Sequence, residues 1–214
     1  MNDNFLKDLD DYFSVYYNDY NTISSLKGYT EDKRDFLLNV YTNTDTKYNY
    51  KPNENKYRLC FQKNKIELLT ELKNIFQDNH FEFSFKELPL KFRIKAFFNK
   101  QVQFGFFIKK MLIKYGFTDY NNFYELISFK KNIWKNILKS RILPSKRLLF
   151  KICLFLGTNI EDNLLLLKKA NFDYNYREVF DVIVRYLIEK KIFNQSLIEL
   201  AFNEYNLKPL FLEK

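Results

Sequence analysis

The residues in this chain best suited to chemistry are its cations. Between residues 104 and 151 the sequence holds 11 Lys or Arg against 2 Asp or Glu, a net charge of +9, which equals the net charge of all 214 residues. A field of that density attracts polyanions and releases their condensed counterions on binding, the sequence-independent part of nucleic-acid affinity. Elsewhere the balance differs: residues 1–50 carry −4, residues 51–103 carry +5 and residues 152–214 carry −1.

Residue types that serve catalysis are sparse. The single histidine, His80, and the two cysteines, Cys60 and Cys153, are too few for a Cys/His metal cage or a disulfide framework. His80 has no Cys or carboxylate at ligand or triad spacing and reads as a loop histidine. Glu71 and Lys73 form the Glu-x-Lys pair of some metal nucleases, but that chemistry needs the pair on a strand converging on a divalent cation. Here they fall in a helical pattern, where residues two apart diverge. Asp181 and Arg185, four apart, read as a surface helix pair. Gly28, Gly105, Gly116 and Gly157 are all isolated, so no glycine-rich phosphate loop is present. The expectation is a protein that is not an enzyme and takes no cofactor and no metal.

The elements that position those cations follow from periodicity. At 46% hydrophobic the chain can bury a core and is not disordered. Its 24 Phe and 16 Tyr stand beside only three Ala, the bias of an AT-rich coding sequence, so aromatic abundance is weak evidence for base stacking. No run of about 18 apolar residues occurs, which excludes a membrane span. The start, with Asp3, Asp8, Asp10 and Asp11, lacks the pattern of a secretory signal, so a cytoplasmic location is expected.

Apolar spacing predicts a helix from Phe5 to Tyr20 with Asp3 as cap, a second from Thr30 to Thr42, and a third from Lys63 to Gln77. A long polar loop falls at 43–56, a short strand at Phe81, Phe83 and Phe85, and a helix opening at Pro89. Farther on, helices are expected at Gly105 to Tyr115 with Gly116 as left-handed cap, Asn122 to Ile127 and Lys131 to Lys139. Another follows Ser145, with Leu148 to Leu156 at the centre of the core. A further helix opens at Asn159 with Asp162 as a capping-box-like pair, and the last two run from Arg177 to Lys190 and from Gln195 to Tyr205. The fold class is all-α, divided into an N-terminal helical region over 1–100 and a C-terminal domain over 101–214. At about 100° per residue, Ile133, Trp134, Ile137 and Leu138 share one side of their helix, and Asn132, Lys135, Asn136 and Lys139 face outward.

The C-terminal half resembles the XRE-like (Cro-repressor-like) helix-turn-helix superfamily, in a form that continues into an extra helical tail. The residues that carry the likeness are Gly116 and Phe117, then Phe129, Ile133, Trp134 and Ile137. They continue with PSKR at 144–147, LGTNIEDNLLLLKKANF at 156–172, FDVIVRYLIEK at 180–190, and Pro209 with Leu210. The resemblance implies five repressor-type helices, with Asn122 to Ile127 as the first of the pair and Lys131 to Lys139 as the recognition helix. It implies Asn132 and Asn136 as readers of base edges, since an asparagine amide matches N6 and N7 of adenine. Lys130, Lys131, Lys135, Lys139, Arg141, Lys146 and Arg147 would neutralise phosphate. Three positions depart from the family pattern: Tyr124 stands where a small residue is usual, Ser128 where the turn usually has Gly, and Lys130 where Ser, Thr or Asp usually caps.

The functional expectation is a nucleic-acid-binding regulator of a low-GC bacterium or its mobile elements, with duplex DNA favoured over RNA. Its acidic N-terminal region would supply a homodimer or protein-partner contact, and no membrane is involved. The alternative is a protein-directed module that reuses a repressor-like fold to bind a nucleoprotein machine, as phage anti-CRISPR proteins do.

Overall fold

A computed structural model describes residues 2–29, 58–79, 86–87, 89 and 104–211. Its elements run α1 (Asn2–Tyr16), α2 (Tyr20–Ser25), a 3-10 turn (Leu59–Phe61), α3 (Lys65–Ile75), β1 (Lys86–Glu87), α4 (Phe104–Lys114), α5 (Phe123–Leu126), α6 (Lys131–Leu138), β2 (Ile142–Leu143), α7 (Lys146–Leu156), α8 (Ile160–Lys169), α9 (Val179–Glu189) and α10 (Gln195–Glu204). The fold is all-α apart from one short antiparallel pairing, Lys86 with Leu143 and Glu87 with Ile142. The expected helix at 30–42, the loop at 43–56, His80, the strand at Phe81, Phe83 and Phe85, and the helix after Pro89 lie outside the described residues.

The chain divides into two compact units. The first comprises Met1–Gln77, Asn175–Tyr186 and Glu204–Leu207, and the second Asp78–Tyr174, Leu187–Asn203 and Lys208–Lys214. A single cut at residue 101 therefore does not describe the chain, because 175–186 and 204–207 belong with the first unit. Apolar periodicity shows that a helix has a buried stripe. It does not show what the stripe packs against.

In the first unit α1 buries Leu9 and Phe13, Tyr17 is buried just past its end, α3 buries Leu68, Leu69 and Leu72, and Ile23 and Leu59 are buried as well. Each such side chain stabilises by about 1.5–3 kcal/mol relative to exposure. The helix expected to reach Tyr20 instead stops at Tyr16. Asp19 caps α2 by accepting the Thr22 N–H at 3.4 Å, and such a local side-chain bond competes with helix continuation. Tyrosine hydroxyls tie the later segments on: Tyr186 donates to Asp8 at 2.9 Å and Tyr205 to Asp10 at 2.8 Å. Asp181, expected on the surface, is buried and accepts the Asn175 N–H at 2.6 Å.

The second unit is built around α7, whose Leu148, Leu149, Phe150, Ile152, Cys153 and Leu154 are fully buried, as their near-continuous apolar run predicts. Ser145 caps α7 by accepting the Leu148 N–H at 3.3 Å. Asn159 caps α8 by accepting the Asp162 N–H at 2.8 Å. The reciprocal half of that box goes elsewhere. The Asn159 N–H donates to the Tyr115 hydroxyl at 3.1 Å, and that hydroxyl donates to Asp162 at 2.5 Å.

Candidate nucleic-acid interface

The cationic surface is set by α6 and by what holds it. Its apolar stripe is anchored by Trp134, which is fully buried and donates its indole N–H to the Tyr120 carbonyl at 2.8 Å. Ile137 and Leu138 are buried beside it, and the Phe123 ring lies 5.6 Å from that of Trp134. At the other end α4 comes against the last turn of α6 through Gly105. A Cβ at that position would lie 2.2 Å from the Leu138 carbonyl oxygen, so only glycine fits. The Gly105 N–H, one of the first-turn amides left without a helical acceptor, donates to the Ser140 hydroxyl at 2.8 Å. An isolated glycine within a helical pattern is the sequence signal for such an approach.

The ends of α4, α5 and α6 share one device. In each, the residue three past the helix donates back to a carbonyl five positions earlier, and the residue just before the donor has positive φ: Gly116 at 88°, Ser128 at 50° and Ser140 at 54°. The turn between α5 and α6 thus adopts the left-handed backbone for which Gly is usual, with Ser128 in its place. Tyr124 is buried, as a residue at the helix contact must be, and its hydroxyl donates to Glu125 at 2.7 Å. That carboxylate, together with burial, pushes the Tyr124 hydroxyl above its ordinary pKa, with Lys131 opposing. Lys130 precedes α6 in extended backbone and gives no side-chain cap.

Of the expected site residues, Lys130, Lys131, Asn132, Lys135, Lys139 and Arg141 are exposed, and Asn136 and Lys146 are half-buried. Asn132, Lys135 and Lys139 are exposed, as their expected outward orientation requires, whereas Asn136 is only half-exposed. Lys131 places its ammonium 5.8 Å from the Tyr124 ring centre, and Lys146 places its own 5.9 Å from that of Phe150. Among the described residues no carboxylate pairs with Lys130, Lys135, Lys139 or Arg141.

Arg147 is the correction. Its side chain is 3% exposed and that of its partner Asp78 is 1% exposed, with the guanidinium donating to the carboxylate at 2.9 Å. A second guanidinium N–H donates to the Lys208 carbonyl, and the Lys208 N–H donates to Asp78 at 2.8 Å. A guanidinium buried with both terminal nitrogens donating in this way is unavailable to phosphate, and its role is to hold residue 208 against α7. The Pro-Ser-Lys-Arg step places Arg147 in the first turn of a helix buried on most of its circumference. The periodicity that makes α7 central therefore also buries its arginine.

The remaining candidates hold structural positions. Glu71 accepts the Lys27 N–H at 2.9 Å, and Lys73 pairs with Asp10 and Glu204. Cys153 is fully buried, and desolvation raises its thiol pKa to about 11, which keeps it protonated and unreactive at neutral pH. Among the described residues no group of three or more His, Cys, Asp or Glu is placed to hold a metal ion, and no helix is long and apolar enough to cross a membrane. No family model, curated protein or solved structure matches the chain.

Proposed function

We propose that the protein binds nucleic acid, without catalysis, through the outward side of α6 and the residues that follow it. One observation carries this reading: Lys130, Lys135, Lys139 and Arg141 stand in solvent with no carboxylate partner among the described residues, on and flanking a helix whose opposite side is locked by Trp134, Ile137 and Leu138. Like charges held on a rigid support keep their mutual repulsion until a polyanion relieves it. The first-turn amides of α6, which receive no side-chain cap, add the positive end of the helix dipole on the same side. Asn132 and Asn136, one turn apart, supply amides that can meet base edges.

Fluorescence anisotropy with labelled oligonucleotides tests this. Six phosphates neutralised by Lys130, Lys131, Lys135, Lys139, Arg141 and Lys146 would cost about a thousandfold in affinity between 50 and 200 mM salt. Lys135→Glu combined with Lys139→Glu should abolish binding and leave the melting temperature unchanged, because neither side chain supports the core. Absence of binding to any oligonucleotide at 50 mM salt would overturn the proposal.

A further inference from the structure

Resting on that reading, we infer that the ligand is a single-stranded nucleic acid, laid along α6 with one base stacked on the ring of Phe106. Three observations on α4 lead there. Phe106 is 48% exposed, whereas the other phenylalanines among the described residues of the second unit are buried or half-buried. It follows Gly105, the residue that touches Leu138 and Ser140, so it lies at the end of α6 from which Lys139 and Arg141 emerge. On α4 itself, Lys109 and Lys110 stand three and four residues beyond it, on the same side of the helix. An aromatic face beside several cations matches the two parts of a nucleotide, a flat base and a charged phosphate.

A duplex offers no such fit. Its bases are stacked on one another, so an exposed ring gains nothing from them unless a strand is opened. The charges on α5 point the same way. An element that enters a groove is flanked by two backbones, and in the repressor arrangement the preceding helix crosses one of them. Here α5 has an exposed carboxylate near each end. Asp119 is held by the Asn122 N–H at 3.4 Å and its side-chain amide at 2.9 Å, and Glu125 by the Tyr124 hydroxyl. These are the only two acidic residues between 104 and 151, and both would meet the second backbone. A single strand needs cations on one side only, as α6 provides.

The experiment measures affinity of the full chain for one labelled sequence of about 12 nucleotides, presented as DNA strand, RNA strand and DNA duplex at 50 mM salt. Both single strands should bind at least about tenfold more tightly than the duplex, and the tighter of the two identifies the source through the 2′-hydroxyl. Phe106→Ala should weaken single-strand binding about tenfold and leave duplex binding unchanged, and Phe106→Tyr should retain it. Phe106→Leu, which keeps apolar area without a π-face, should lose affinity as the alanine variant does while melting like the parent. Equal affinity for strand and duplex, or single-strand binding indifferent to Phe106→Ala and Phe106→Leu, would overturn the inference and leave nucleic-acid binding standing. Failure of all three oligonucleotides to bind would instead remove the reading on which it rests.

Discussion

Lys73 in the first unit and Lys135 in the second carry the same charge on short amphipathic helices, and the fold treats them in opposite ways. The Lys73 ammonium lies 2.8 Å from Asp10 and 2.5 Å from Glu204, with the Tyr205 ring 4.8 Å away, and its side chain is 14% exposed. Lys135 projects into solvent and meets no carboxylate among the described residues. The difference is made by chain segments far off in sequence, since the partners of Lys73 lie 63 and 131 residues away. A cation neutralised within its own unit contributes to cohesion and almost nothing to the external field. One left in solvent does the reverse. Net charge per segment counts both kinds alike, and Arg147 shows how far that count can mislead.

Arg147 gives the largest way to sharpen the contrast. Arg147→Ala leaves Asp78 buried without its counter-charge, which should cost about 3–5 kcal/mol in urea or thermal denaturation. If it melts like the parent, the cation belongs with Lys135 and not with Lys73. Gly105→Ala strikes the contact that holds α6 in place. A Cβ 2.2 Å from a backbone oxygen cannot be absorbed by a rotamer change, so helix separation should cost about 3 kcal/mol and weaken polyanion binding together with stability. The direct comparison comes next. Lys73→Ala leaves Asp10 and Glu204 facing each other and should cost about 2 kcal/mol, whereas Lys135→Ala should fall within about 0.5 kcal/mol of the parent. Equal costs would erase the distinction between the two units.

What could be read from the chain beforehand was whatever depends on near neighbours. The helices at 104–114, 131–138 and 146–156 are set by three- and four-residue apolar spacing, and the caps at Ser145, Asn159 and Gly116 by side chains or glycine at the helix boundary. The outward side of α6 follows from the same arithmetic. Less legible were the ends of α5, α6, α8 and α9, where Ser128, Ser140, Asn171 and Lys191 adopt positive φ without glycine. There the tertiary packing of the flanking helices outweighs a local cost of about 1 kcal/mol. Nor could spacing identify partners. Asp78 for Arg147, Glu204 for Lys73 and Ser140 for Gly105 are brought together only by the packing of segments, and the same is true of the exposure of Phe106 among so many buried rings. Contacts between residues far apart in sequence are therefore what local spacing leaves open.

Lys114 lies between the two extremes and offers the subtlest test. Its side chain is 56% exposed, yet its ammonium lies 2.5 Å from Asp162, which also accepts the Tyr115 hydroxyl. Burial alone would raise the Asp162 pKa, but the bonds from Lys114 and Tyr115 outweigh it and hold the carboxyl below its ordinary value. The folded value being the lower one, this contribution is present above the unfolded carboxyl pKa of about 3.9 and is lost as pH falls through the folded value. Tyr115 runs the other way. Burial first, and then its bond to Asp162, raises the hydroxyl to about 12. Its contribution is complete below the unfolded value of about 10 and is lost as pH rises toward 12. Tyr115→Phe should therefore cost about 1 kcal/mol at neutral pH through the lost bonds to Asp162 and Asn159, and should flatten the alkaline decline in melting temperature between pH 10 and 12. An unaltered alkaline limb would mean that the tie joining α4 to α8 is as solvated as Lys135, and the intermediate class would vanish.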